Sequence, residues 1–237
     1  MCHENSEWGQ NKAEIFRKLL PQKGFKIVFE EAYAASASDL TPMLLKVKQS
    51  KADVLLLTSY LTDAILISKT VEKQRVDLVA VLNAGGGQND PTYLSTLGET
   101  ANYEFALSEW EVGIMEGKPW AKPINAAFKV KYGENFTAAV AEGYSNIWLI
   151  KDVMERAKSY DREKIHEAFV KTNYTSGPAL IMPYNKKIVF DEQGSNPFAD
   201  ELIGQAYNGT YRIAYPFEFA DPTHKAGWPR PKWSERK

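Results

Sequence analysis

Apolar positions in the first two-fifths of the chain alternate between two patterns. One is a helical stripe. Asn5 or Ser6 caps a segment whose apolar face is Ala13, Phe16, Leu19 and Leu20, and Pro21 with Gly24 ends it. Leu40, Met43, Leu44 and Val47 recur at i, i+3, i+4 and i+7 behind a Ser38 or Asp39 cap, with Pro42 tolerated in the first turn. A third helix starts near Thr62–Asp63 and carries Ala64, Ile67 and Val71. A short fourth opens at Asp90–Pro91 with Tyr93, Leu94 and Leu97. The other pattern is the short unbroken apolar run: Phe25 to Phe29, Val54 to Leu57, Leu78 to Leu82 and Tyr103 to Leu107. Such runs suit strands covered on both faces. Helix and strand alternating across short loops predict an α/β fold with a doubly wound parallel sheet.

The pattern changes after Glu109. Helices are predicted over 120–132, 138–158 and 161–171. The middle one is apolar nearly all round (Val140, Ile147, Trp148, Leu149, Ile150, Val153), which predicts deep burial. Residues 176–196 are rich in turn formers. Leu202–Tyr207 and Thr210–Tyr215 flank Asn208–Gly209, a two-residue hairpin signal. The tail from Pro216 reads as an extended strap. A parallel sheet normally begins with a strand, yet the chain starts almost directly on a helix. The helical stretch 110–172 has no parallel strands of its own to pack on. Both features point to sequence upstream of Met1; an α+β protein complete as written is the alternative.

Composition narrows the function. The 237 residues make one large domain or two lobes, and 44% are hydrophobic, enough for a core. Twenty-nine basic residues against thirty acidic ones, net −1, give no basic surface for nucleic acid. No apolar run is long enough to span a membrane. The opening MCHENSEWGQ is polar, so the chain as given carries no signal peptide. The single cysteine, Cys2, excludes an internal disulfide and a cysteine-based zinc cage, and nothing in sequence pairs it with a base.

Catalytic chemistry finds little support. His3, His166 and His224 fall in an N-terminal stub, on a charged helix and in the tail, and no pair has metal spacing. Neither a metal nor a cofactor is expected. Gly143-Tyr-Ser-Asn-Ile lacks the second glycine of a nucleophile elbow and lies within a helix, so Ser145 is a poor nucleophile. Glu109 and Glu111 bracket Trp110 without other acid–base partners. Asn135-Phe-Thr, Asn173-Tyr-Thr and Asn208-Gly-Thr match the glycosylation pattern, and three chance matches in a chain of this length are unremarkable.

A binding site has better support. Asn83-Ala-Gly-Gly-Gly-Gln-Asn-Asp-Pro follows a strand and precedes a helix, which puts a glycine loop at the sheet edge where open α/β folds bind ligands. It lacks the spacing of a nucleotide motif. Trp8, Tyr60 and Trp110 each lie at a loop leaving a predicted strand, so a parallel sheet gathers them with the glycine loop into an aromatic collar. Tyr144, Trp148, Trp228 and Trp233 are read as packing residues.

The order of features resembles a known family. Asn5-Ser-Glu-Trp-Gly-Gln, Lys51-Ala-Asp-Val-Leu-Leu-Leu-Thr, Gly85-Gly-Gly with Asp90-Pro, Glu142-Gly-Tyr, Gly177-Pro-Ala, Asp191-Glu-Gln-Gly and Asn208-Gly-Thr-Tyr together are similar to type I periplasmic binding proteins, in the branched-chain amino-acid group that serves ABC importers. The resemblance implies a two-lobed clamshell of α/β sandwiches with an incomplete first lobe, as in an N-terminally truncated member that also lacks the opening strand of the second lobe. Residues 1–108 plus 198–237 would be the second lobe, and 109–197 the returning helical part of the first. It further implies a small solute, an amino acid or related organic acid or amide, captured by hinge closure without chemistry. Implied with it are an ABC permease as membrane partner and a periplasmic location; a complete chain without a leader would instead be a cytoplasmic sensor of the same fold. An α/β enzyme is the remaining alternative. Carried across position by position, the ligand contacts fall on Trp8, on Tyr60 and near Ala84, with Asp90 and Glu109 as nearby acidic substitutes; the expected pocket wall is Trp8, Tyr60, Asn83, Ala84 and Gly85, with Asn83 and the glycine amides supplying hydrogen bonds. Ala84 stands near the place of an acidic residue that holds an α-amino group, and an alanine cannot pair with ammonium.

Overall fold

A computed structural model describes residues 1–183 and 186–236. The turn-rich stretch 176–196 and the tail therefore each include positions outside the described residues. The chain divides into two compact units: Met1–Leu107 with Ile203–Ala214 and Asp221–Lys237, and Ser108–Leu202 with Tyr215–Ala220.

In chain order the first unit contains β1 (Cys2–Glu4), α1 (Glu7–Gln22), β2 (Glu31–Tyr33), α2 (Thr41–Gln49), β3 (Val54–Ser59), α3 (Leu61–Lys73), β4 (Ala80–Gly86), α4 (Pro91–Leu97) and β5 (Phe105–Ser108). The second unit follows with α5 (Lys122–Tyr132), α6 (Ala138–Ala157), α7 (Arg162–Val170), β6 (Asn173–Tyr174) and β7 (Ile188–Val189). The hairpin β8 (Leu202–Tyr207) and β9 (Thr210–Tyr215) then completes a seven-stranded sheet of order β2-β1-β3-β4-β5-β8-β9. Strands β1 to β5 pair in parallel.

Most local reasons are those the sequence offered, except that α2 starts behind Leu40 and α3 behind Tyr60, neither with a side-chain cap. Ser6 caps α1 by accepting from the Gly9 N–H, and Asp90 caps α4 by accepting from Thr92 N–H. Pro42 sits in the first turn of α2. Leu40, Met43, Leu44 and Val47 are all buried and join Leu55, Leu57, Ile67 and Val81 in one core cluster. Asn208 and Gly209 both have positive φ, 50° and 76°, as a type I′ hairpin turn needs. From Asp221 the tail is a strap on the first unit. Trp233 is buried, its indole N–H donating to Val76 O at 3.0 Å and its backbone N–H to Asp77.

Three expectations change. The opening strand is present: Cys2–Glu4 is fully buried between β2 and β3. His3 is therefore no stub. It is 3% exposed, with Nε2 3.5 Å from Glu30 Oε1 and Nδ1 3.1 Å from Glu4 O. Three residues are too few for a periodic signal, which hid the strand. The second strand lies at Glu31–Tyr33 rather than Phe25 to Phe29; Phe25 and Val28 are exposed, so that apolar run is a surface connection.

The second unit corrects the third expectation. Helix α6 buries only Ala141, Ser145, Leu149 and Val153, one row at i, i+4, i+8 and i+12, against α7 and the turn Pro178–Ile181. Ile147 is 67% exposed and Ile150 45%. Apolar side chains are buried only where an element lies against them. The core of this unit gathers around Trp110, 2% exposed, whose ring packs on Phe136 and whose N–H donates to Ile181 O at 3.1 Å. Its strands β6 and β7 form a two-stranded antiparallel ladder.

Candidate functional site

The glycine segment is partly strand. Strand β4 runs through Gly86, opposite Ser59 across an irregularity in the β3 ladder, and a 3₁₀ turn, Gly87–Asn89, follows. At this C-terminal edge of the first unit's sheet, three connections meet. Trp8 lies in the first turn of α1, Tyr60 is the N-cap of α3, and Gly86 ends β4. The Trp8 and Tyr60 rings stack at 5.1 Å between centroids with 27° between planes. Tyr60 is 49% exposed. Stacked rings at this spacing gain about 0.5–1.5 kcal/mol beyond burial, and their free faces offer flat apolar contact.

Glycine is required where backbone and ring crowd. A Cβ on Gly86 would lie 2.7 Å from Trp8 Cη2 and 2.6 Å from Ser59 O, and its φ is +99°. A Cβ on Gly87 would lie 2.1 Å from Leu61 N. Gly85, with φ +84°, has open space where its Cβ would be. The corner is therefore set by close contact between the β4 end and the Tyr60 turn.

A buried amide network supports it from beneath. Asn83 is 3% exposed; its Nδ2 donates to Phe105 O at 3.1 Å and its Oδ1 accepts from Gln88 Nε2 at 2.8 Å. Gln88 Nε2 also donates to Ser59 Oγ at 3.0 Å, and Gln88 O accepts from the Tyr211 hydroxyl. Ala84 and Gly85 are buried. On the Trp8 side, the fully buried Glu4 carboxylate accepts from the Ser6 N–H at 2.9 Å and from the Ser6 hydroxyl. Gly9 passes so close to β1 that a Cβ there would lie 2.1 Å from Glu4 O. Asp63, 1% exposed in the first turn of α3, accepts from Ser36 N–H at 3.1 Å.

The structure thus brings Trp8, Tyr60, Asn83, Ala84 and Gly85 to one region, the amide of Asn83 turned inward. Trp110 does not join them; it is the core of the second unit. Gly86 and Gln88 were not singled out by the sequence. The glycine run signals the first, whereas Gln88 has no sequence signal, because its role depends on partners far along the chain.

The remaining candidates have structural positions. Ser145 donates to Ala179 O at 2.7 Å from a buried site. His166 is exposed on α7, and His224 Nε2 lies 3.2 Å from Gln205 Oε1. Burial pushes the Cys2 thiol up to about 12, which leaves it protonated at neutral pH. Among the described residues no group of three His, Cys, Asp or Glu side chains is placed to hold a metal, and no helix is long and apolar enough to cross a membrane.

Comparison with known proteins decides the family, for the one described as "Periplasmic binding protein" matches residues 1–199. The chain belongs to the periplasmic binding protein family. Among curated members, Leu/Ile/Val-binding protein homolog 7 of Brucella abortus (strain 2308) is 24% identical over 220 residues, which is 91% of this chain and 54% of the relative. Leu/Ile/Val-binding protein homolog 8 of Brucella melitensis is 22% identical over the same share of each. The chain therefore spans about half the length of the curated periplasmic binding proteins it matches. Solved structures of the same fold include the leucine binding protein LivK of Thermotoga maritima, with TM-score 0.77, 21% identity and coverage of 90% of this chain and 58% of that one. Another is the substrate binding protein LivJ of Streptococcus pneumoniae in complex with isoleucine, with TM-score 0.74, 19% identity and coverage of 91% and 59%. A solute binding protein of R. palustris in complex with benzoate superposes with TM-score 0.70 at 12% identity, covering 90% and 56%.

Proposed function

We propose that the chain captures a small solute for an ABC importer, with Trp8, Tyr60, Asn83, Ala84 and Gly85 forming one wall of the solute site. The observation that carries this reading is the Trp8–Tyr60 stack beside the β4 glycines, at the edge of a parallel sheet where α/β folds receive ligands. The two rings supply apolar and stacking contact. Ala84 and Gly85 let the backbone come close, and Asn83 holds that backbone by its bonds to Phe105 and Gln88. With the Asn83 amide spent inward, hydrogen bonds to the solute come from main-chain groups of the glycine segment.

In this reading residues 1–108 with 198–237 are the second lobe of a clamshell, and 109–197 belong to the first. A solute that binds the closed form better shifts the population toward it, and the closed form docks on a membrane permease. The protein works in the periplasm and performs no covalent step. The solute is an amino acid or a related small organic acid or amide. Isothermal titration of the 237-residue chain with isoleucine and with benzoate tests this. Saturable heat with either supports solute capture, and its absence with both rejects it for these two classes.

A further inference from the structure

The segments that meet at the Trp8–Tyr60 corner carry charge of one sign. Residues 4–11, 58–68 and 83–94 hold Glu4, Glu7, Asp63 and Asp90 and no Lys, Arg or His. Glu4 and Asp63 are buried, and among the described residues neither makes an ion pair. Glu4 spends both oxygens on Ser6; Asp63 accepts from the Ser36 N–H with one oxygen, and its Oδ1 has no partner among the described residues. Helix ends answer only part of this charge. Ser6 caps α1 and Asp63 lies in the first turn of α3. Each N-terminus is worth about half a positive charge, so two buried carboxylates leave about one negative charge over. The Tyr33 hydroxyl at the end of β2 responds to the same field: burial first, then the Asp63 charge and to a lesser degree Glu4 push its pKa up, a hydrogen bond with Ser59 opposing them.

On the reading that this corner is a solute wall, we infer that the group it receives is a positively charged, methylated nitrogen, as in a quaternary ammonium compound. A carboxylate would meet repulsion with no cation to pair it. A primary ammonium brings three donors. The wall's side chains hold no free carboxylate or amide for them, because Ala84 has neither, the Asn83 amide is spent on Phe105 and Gln88, and Glu4 and Asp63 are buried. A methylated nitrogen needs no acceptor. Its spread charge is attracted to an aromatic face, and Tyr60, half exposed and stacked on Trp8, offers one. The acids of the same sheet edge add to that attraction without touching the ligand.

The test is isothermal titration of the 237-residue chain with choline, with its neutral carbon isostere dimethylbutanol and with ethanolamine, beside isoleucine and benzoate. Choline is expected to bind at least about tenfold tighter than the isostere and several-fold tighter than ethanolamine. Tyr60→Leu removes the aromatic face and is expected to weaken choline at least about tenfold; Tyr60→Phe, which keeps the face, should weaken it far less. Asp63→Asn, its fold checked by circular dichroism, is expected to weaken choline several-fold and leave dimethylbutanol unchanged. Choline no tighter than its isostere, ethanolamine equal to choline, or choline binding untouched in Tyr60→Leu would each overturn the inference. Isoleucine or benzoate bound in a Tyr60-dependent way without choline would overturn it and leave the solute reading standing. No saturable heat with any of these compounds would reject both.

Discussion

Arg230 of the strap and Glu104 at the entry to β5 face each other at 3.7 Å, each side chain 1% exposed. Glu104 also accepts from the Tyr93 hydroxyl at 2.5 Å and from Ser68 at 3.2 Å through its other oxygen. Burial lowers the Arg230 pKa, and the Glu104 charge works against that shift. Removing the anion takes from a buried guanidinium its paired counter-charge, leaving only the weaker influence of Glu72 and Asp77. Glu104→Gln is therefore expected to destabilise the first unit by about 3 kcal/mol, the usual cost of breaking a buried pair. Arg230→Met with Glu104→Gln together should recover much of that loss. Denaturant unfolding of the three proteins measures it, and a single variant as stable as the parent would show that the pair contributes nothing.

Tyr60→Ala removes half of the stacked pair and opens the corner. Once a solute is identified by titration, its affinity is expected to fall more than tenfold, about 1.4 kcal/mol. Tyr60→Phe keeps the ring and should stay within a few-fold of the parent. Because Tyr60 is 49% exposed, neither change should lower the melting temperature much. Unchanged affinity for the alanine variant would remove Tyr60 from the site.

The legible parts of this fold are those fixed by local chemistry. The stripe Leu40, Met43, Leu44, Val47 specifies its helix face without help, and Asn208–Gly209 specifies its turn through positive φ. What escaped depends on tertiary partners. Cys2–Glu4 is a strand only because β2 and β3 flank it, and Ile147 and Ile150 look like core in sequence because composition cannot show which helix face has a neighbour. The site shows the same division. An aromatic at each loop start and a glycine run mark the corner, but the contact that shapes it is between Gly86 and Trp8, and its support is Gln88 bridging Ser59 and Asn83. Trp110 carried the same sequence signal as Trp8 and is core, so an aromatic at a loop start does not by itself mark a pocket.

The three glycines of the corner should respond in graded order to alanine. Gly85→Ala meets open space and bears only the strain of positive φ, about 1 kcal/mol. Gly86→Ala adds contact with Ser59 O and the Trp8 ring to similar strain. Gly87→Ala drives a methyl into the Tyr60–Leu61 backbone, which cannot yield without moving the start of α3. Thermal melts should rank them Gly85 least and Gly87 most destabilising, and near-UV circular dichroism should show the Trp8–Tyr60 signal lost in the last two. Equal melting temperatures for all three would mean that the corner is looser than these distances imply.

The second unit should lose stability as pH rises toward neutrality. Burial pushes the Glu111 carboxyl up from 4.5 to about 7, a hydrogen bond from Ser108 opposing the shift and the Glu109 charge adding to it. A carboxyl raised in the folded state binds its proton more tightly there than in the unfolded chain. The stabilisation is thus full below the unfolded value of 4.5, and it is lost progressively up to about 7 as the folded group ionises. Glu111→Gln keeps the shape and removes the titration. Chemical unfolding of parent and variant between about pH 5 and about pH 8 should show the parent's stability falling across that window and the variant's curve flatter. The variant should gain most at the alkaline end, where the parent must keep a charge buried. Parallel curves for the two proteins would place the Glu111 carboxyl in water.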